Sequence, residues 1–138
     1  MKKSIRFSIF VLLGLCAIES CTKTDTTPSS SGDDRAKFLG TWNVNESYQK
    51  INYDVTIIAD PNESSRVLID KFAGQPTGNR ATAVISGNSI TLDANQNVGG
   101  ATNVSGNGSM SGTTRINWTY TFLQGGDAFS ATATYTKK

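Results

Sequence analysis

The chain contains no histidine. That removes Ser-His-Asp and Cys-His nucleophilic catalysis, and imidazole-bound zinc, from the chemistry open to it. Cysteine is nearly absent as well: Cys16 and Cys21 are the whole supply, and beyond Cys21 there is no thiol for redox work. Neither the P-loop nor the dinucleotide-binding glycine pattern occurs. No apolar run reaches the ~20 residues that a membrane-spanning helix requires, since the longest, Phe7 to Ile18, is short and is broken by Ser8 and Gly14. Excess charge is also missing. The formal +2 comes from Lys2, Lys3 and Arg6 set against Glu19, and from Cys21 onward basic and acidic residues cancel. Phosphate binding needs clustered Lys and Arg, so nucleic acid is not an expected partner.

What is present begins with a basic start, Met1-Lys2-Lys3-Ser4-Ile5-Arg6, followed by that short apolar run. This is the pattern of a secretory signal, predicted over residues 1–20. Cys16 lies inside the apolar run and leaves with it. Cys21 follows the small residue Ser20, with Ile18 two positions before that. The stretch resembles the lipobox of bacterial lipoproteins, which implies that Cys21 becomes the acylated first residue and the membrane anchor. Residues 22–35, TKTDTTPSSSGDDR, carry no apolar side chain and cannot offset the entropy of ordering. Residues 21–36 are therefore predicted to be a flexible tether. Lys23 and Asp25 resemble the export signal of surface-displayed lipoproteins in Bacteroidota, and Asp25-Thr26-Thr27 resembles that group's O-glycosylation sequon, with Thr26 as acceptor. A lipid-anchored protein of the cell envelope, at the outer membrane, is the expected location.

From Lys37 to Lys138 the pattern changes to a period of two. Ile116, Trp118, Tyr120 and Phe122 alternate with Asn117, Thr119 and Thr121. Phe129, Ala131, Ala133 and Tyr135 do the same, as do Trp42 with Val44, and Tyr53 with Val55 and Ile57. Helix is disfavoured by the abundance of Thr, Asn, Ser and Gly. Gly87-Asn88 suits a two-residue hairpin turn. Pairing Ser86 with Ser89 then sets Ile85 opposite Ile90 and Ala83 opposite Leu92, and a one-residue slip would scatter these apolar sets. A second hairpin is expected around Gly112, with Gly106 and Gly108 lying under Trp118 and Tyr120. Turn signals at Asp60-Pro61-Asn62, Pro76-Thr77-Gly78-Asn79, Gly99-Gly100 and Gly125-Gly126-Asp127 complete about eight short antiparallel strands in meander order. Such an all-β chain hides its apolar face in a barrel or a sandwich.

The opening KFLGTW, residues 37–42, contains Gly40-x-Trp42 at the start of the first strand. This resembles the signature of the calycins, the lipocalins, fatty-acid-binding proteins and avidins. The likeness of residues 37–138 is to small lipocalin-like lipoproteins of the Bacteroidota envelope. It implies a closed barrel whose Trp42 plugs one end beneath a basic side chain, the place Lys137 would take. Asn45–Asn52 is too short for the helical lid of fatty-acid-binding proteins, so a bound fatty acid is not implied.

Carboxylates could still serve glycoside hydrolysis, yet Glu46, Asp54, Asp70 and Asp93 fall mostly at outward or strand-end positions, where such groups are solvated. Asp60-Pro61-Asn62-Glu63 and Gly125-Gly126-Asp127 read as turns rather than calcium loops. No catalytic residue, cofactor or metal is expected. Tyr48, Trp118, Tyr120, Phe122 and Tyr135 either line a mouth that stacks on a small ligand or supply the core of a small barrel. The expected function is non-enzymatic binding at the membrane surface. Its alternatives are a carrier of a small apolar ligand inside the barrel and a calycin-like inhibitor or accessory subunit, acting on an envelope protein through its loops.

Overall fold

The computed structural model describes residues 33–138. The signal segment, Cys21 and Thr26 lie outside the described residues. Nine strands follow one another: β1 Gly40–Glu46, β2 Asn52–Ala59, β3 Arg66–Asp70, β4 Arg80–Ser86, β5 Ser89–Leu92, β6 Gln96–Val98, β7 Ala101–Ser111, β8 Arg115–Gln124 and β9 Asp127–Lys137. All pairings are antiparallel, in the order β5-β4-β3-β2-β1-β9-β8-β7-β6. A further pairing of β5 with β7 closes an eight-strand barrel and leaves β6 as an extra strand on β7.

The closing seam is short. Ser89, Ile90 and Thr91 pair with Ser109, Gly108 and Asn107, and the Met110 amide donates to the Asn88 carbonyl at 2.8 Å. Closure removes the free edges that would otherwise template association. The β4–β5 hairpin has the register expected from its sequence, Ile85 opposite Ile90 and Ala83 opposite Leu92, and Gly87 supplies the positive φ (+55°) that the tight turn demands. In β7, Gly106 faces Tyr120 and Gly108 faces Trp118. A Cβ on Gly106 would stand 2.4 Å from the Tyr120 Cβ and 2.5 Å from the Thr119 carbonyl oxygen, so at Gly106 the strands meet backbone to side-chain root.

The barrel has two distinct ends. At the near end the chain enters through Asp33–Leu39. Phe38 and Trp42 are fully buried there, and the Trp42 indole N–H donates to the Phe38 carbonyl at 2.8 Å. Lys137, the last residue of β9, holds its Nζ 5.2 Å from the centre of the Trp42 ring and donates to the Lys37 carbonyl at 2.9 Å. Cation–π attraction and a hydrogen bond thus fix one ammonium group above the plug.

The fold takes up more of the chain than the tether boundary at residue 36 assumed. Arg35 pairs with Asp33 at 2.7 Å and donates through Nη1 to the carbonyls of Asp60, Glu63 and Arg66. The five-donor guanidinium gathers the β2–β3 turn onto the entering chain, work that a run of small polar residues cannot do. At the far end lie the β1–β2 loop, the Gly99-Gly100 and Gly125-Gly126 turns, and a one-turn 3-10 segment at Phe72–Gly74.

Candidate functional site

The interior is built from the inward positions of every strand of the ring. Trp42, Trp118, Tyr120, Tyr135, Phe38 and Phe72 are among its largest fully buried side chains. At eight strands a barrel is just wide enough for side chains to fill it. Phe72 reaches in from the far end, with ring centres 5.4 Å from Trp118 and 4.8 Å from Tyr120. Tyr135 meets Trp118 at 5.7 Å, and Tyr120 continues to Phe122 at 6.1 Å. Tyr48 stands at the rim, 37% exposed, edge-on to Phe122 at 5.3 Å and beside Phe129 at 4.7 Å. The five aromatics that could serve either as a ligand-stacking mouth or as core do converge: four are buried among one another and against Phe72, and only Tyr48 reaches solvent.

Glu46 departs from the sequence expectation. It is 2% exposed and points into the barrel. The reason is the two-residue period of β1: Trp42 and Val44 face inward, so Glu46 does too. Its carboxylate accepts from the Tyr53 hydroxyl at 3.3 Å and from the Tyr120 hydroxyl. No Lys or Arg among the described residues forms an ion pair with it. Burial raises its carboxyl above the ordinary range, and the bond from Tyr53 offsets part of that. Burial likewise pushes the Tyr53 and Tyr135 hydroxyls up, with the Glu46 charge adding to both shifts. The other carboxylates stay on the surface. Asp54 accepts from Lys138 at 2.6 Å, which lowers its pKa together with Asn43, Asp70 accepts the Gly78 amide at 2.7 Å, and Asp93 pairs with Arg66 at 3.2 Å.

A pH dependence follows. Glu46 binds its proton more tightly in the folded chain than in the unfolded one. Its contribution to stability is therefore full at acid pH and declines as pH rises from the ordinary carboxylate pKa through the raised folded value. Glu46→Gln keeps a partner for both tyrosines and cannot ionise. The urea midpoint of the variant should hold steady across that window while the native chain's falls. Glu46→Ala leaves two buried hydroxyls without an acceptor and should cost on the order of 2 kcal/mol. Parallel midpoint curves for the native chain and Glu46→Gln would show that the carboxyl is solvated after all.

Above this cluster, Phe72–Gly74 is held by Gln75, whose Oε1 accepts the Gly100 amide at 2.8 Å. Lys71 and Ala73 take left-handed φ values of +63° and +54°, unusual for residues with a Cβ. Beside the segment a cleft of about 320 Å³ opens between Ile51, Tyr53, Lys71, Gly74 and Gln75. Two further clefts lie on the outer wall, one of about 330 Å³ among Asn45, Asn117, Thr119, Thr132 and Thr134, the other of about 300 Å³ among Ser89, Thr91, Asn107 and Ser109. None of these linings includes a carboxylate. Among the described residues no group of three or more His, Cys, Asp or Glu is placed to hold a metal ion. Glu46 could have been found by extending the β1 alternation two residues, whereas Phe72 and Gln75 sit in no periodic pattern.

No family model matches the chain, and no curated protein matches it. Among solved structures, a redesigned β-barrel is similar with a TM-score of 0.50 and 12% identity, covering 80% of this chain and 99% of that one. At that identity the likeness concerns the fold alone, and it agrees with the strand order: a small, closed, antiparallel, lipocalin-like β-barrel.

Proposed function

We propose that this chain is a non-enzymatic lipoprotein of the cell envelope, acylated at Cys21, whose barrel is a binding or interaction module displayed at the outer membrane. The observation that carries this reading is the occupation of the barrel by its own side chains. With Phe72 between Trp118 and Tyr120, the residues a carrier would offer to an apolar ligand are already in contact with each other. Recognition then falls to what faces outward. The entering segment Asp33–Leu39 packs at the near end, which leaves the loops of the far end uncovered by it. There Ile51 is 48% exposed and Tyr48 37%, beside the cleft at Gly74 and Gln75. An inhibitor or accessory subunit working through its loops is one form of this module, its partner an envelope protein. Thr26 on the tether is a glycosylation site in the same reading.

The anchor is tested by Cys21→Ala. The native protein is expected in the membrane fraction with a diacylglycerol-modified Cys21 as its first residue, detected by mass spectrometry, while the variant moves to the soluble fraction. A native protein that is soluble and unacylated, or a variant that stays with the membrane, would overturn it.

A further inference from the structure

Among the described residues, two buried polar groups inside the barrel have no hydrogen-bond partner: the Trp118 indole Nε1–H and the Tyr135 hydroxyl. Trp118 is 2% exposed and Tyr135 fully buried, so bulk solvent does not satisfy them. Leaving a buried donor unpaired is destabilising, and native interiors rarely tolerate two side by side. The two rings are neighbours, 5.7 Å apart at their centres. Across the sheet, Trp118 is paired with Ala133, which is paired in turn with Glu46, so in the register a single small residue separates the indole-bearing position from the carboxyl-bearing one.

The chemistry of the missing partner follows from these atoms. An indole N–H only donates, so what meets it must accept. A phenol can also donate to the same acceptor. Glu46, already receiving Tyr53 and Tyr120, has spare lone pairs on its carboxylate and would take a hydrogen in return. A small species that accepts twice and donates at least once matches this set, with three partners, the usual number for an internal water.

We propose that the barrel holds an internal water site in which one water accepts from Trp118 Nε1 and Tyr135 Oη and donates to Glu46. The cluster of Glu46, Tyr53, Tyr120, Tyr135 and Trp118 is then one connected network across β1, β2, β8 and β9 rather than a carboxylate with two stray donors. The water is a structural part of the barrel, and it completes the hydrogen bonding of residues contributed by strands far apart in sequence.

The experiment is NMR on the full chain. The Trp118 indole proton should give a cross-peak to a long-lived water, assigned by its loss in Trp118→Phe. Tyr135→Phe supplies an independent sign. If the water is present, removing the hydroxyl deprives it of a partner, and Tm should fall by about 4–8 °C with weakening of the indole–water cross-peak. If the site is dry, the same change deletes an unpaired buried hydroxyl and Tm should rise. A missing cross-peak in the native chain, or a rise in Tm for Tyr135→Phe, would sink the proposal.

Discussion

Gly106→Ala should destabilise the barrel by about 3 kcal/mol or more, a large part of the ~5–15 kcal/mol that holds a domain of this size together. The added methyl would lie 2.4 Å from the Tyr120 Cβ, 2.5 Å from the Thr119 carbonyl oxygen and 2.6 Å from the Tyr120 Cα. None of these atoms is the tip of a flexible side chain. To make room, β7 must part from β8, and β7 also carries the short β5 seam that closes the ring. At Gly108 the obstruction is the Trp118 ring at 2.8 Å and an Ile90 methyl at 2.9 Å, side-chain atoms rather than backbone, so Gly108→Ala should cost less. Gly112 is the control. It has open space around it but a φ of +64°, and Gly112→Ala should cost only about 1 kcal/mol through backbone strain. Urea denaturation of the three variants checks the order. Equal effects at Gly106 and Gly112 would mean that β7 and β8 are not packed as described.

Trp42→Ala should cost about 3–5 kcal/mol, the range for removing a large buried aromatic. Trp42 is fully buried beside Phe38, it spends its N–H on the Phe38 carbonyl, and Lys137 lies over its face. The change opens the near end, leaves the Phe38 carbonyl without its donor and removes the ring beneath Lys137, whose ammonium keeps only its bond to the Lys37 carbonyl. Trp42→Phe keeps a ring beneath Lys137 and should recover much of the loss. Thermal unfolding separates the two. A loss below about 1 kcal/mol for Trp42→Ala would mean that the near end is not closed by this residue.

Much of this architecture was legible because it is local. The register of β4 and β5 follows from a two-residue turn and the alternation on either side of it. Gly106 and Gly108 were expected beneath Trp118 and Tyr120 without a register, and the structure supplies it, Gly106 opposite Tyr120 and Gly108 opposite Trp118. The interior cluster was not legible because it is not local. Glu46 looked like a solvated strand-end carboxylate, and its hydrogen-bond partner Tyr120 is 74 positions away. The pairing of β1 with β9, which in turn pairs with β8, brings the two together. Phe72 belongs to no strand, and its burial depends on the opening left by the curvature of the barrel. The β5–β7 seam itself has no turn or repeat to announce it. Surface glycines and hairpins are fixed by neighbours in sequence, whereas the filling of a barrel is fixed by its circumference.

Native mass spectrometry of the purified full chain bears most directly on whether the barrel is filled by its own residues. A mass equal to that of the covalent chain alone, the same before and after denaturation, is the expected result. A stoichiometric additional molecule of organic size that is held by the folded chain and lost on unfolding would contradict it, and would make the barrel a carrier.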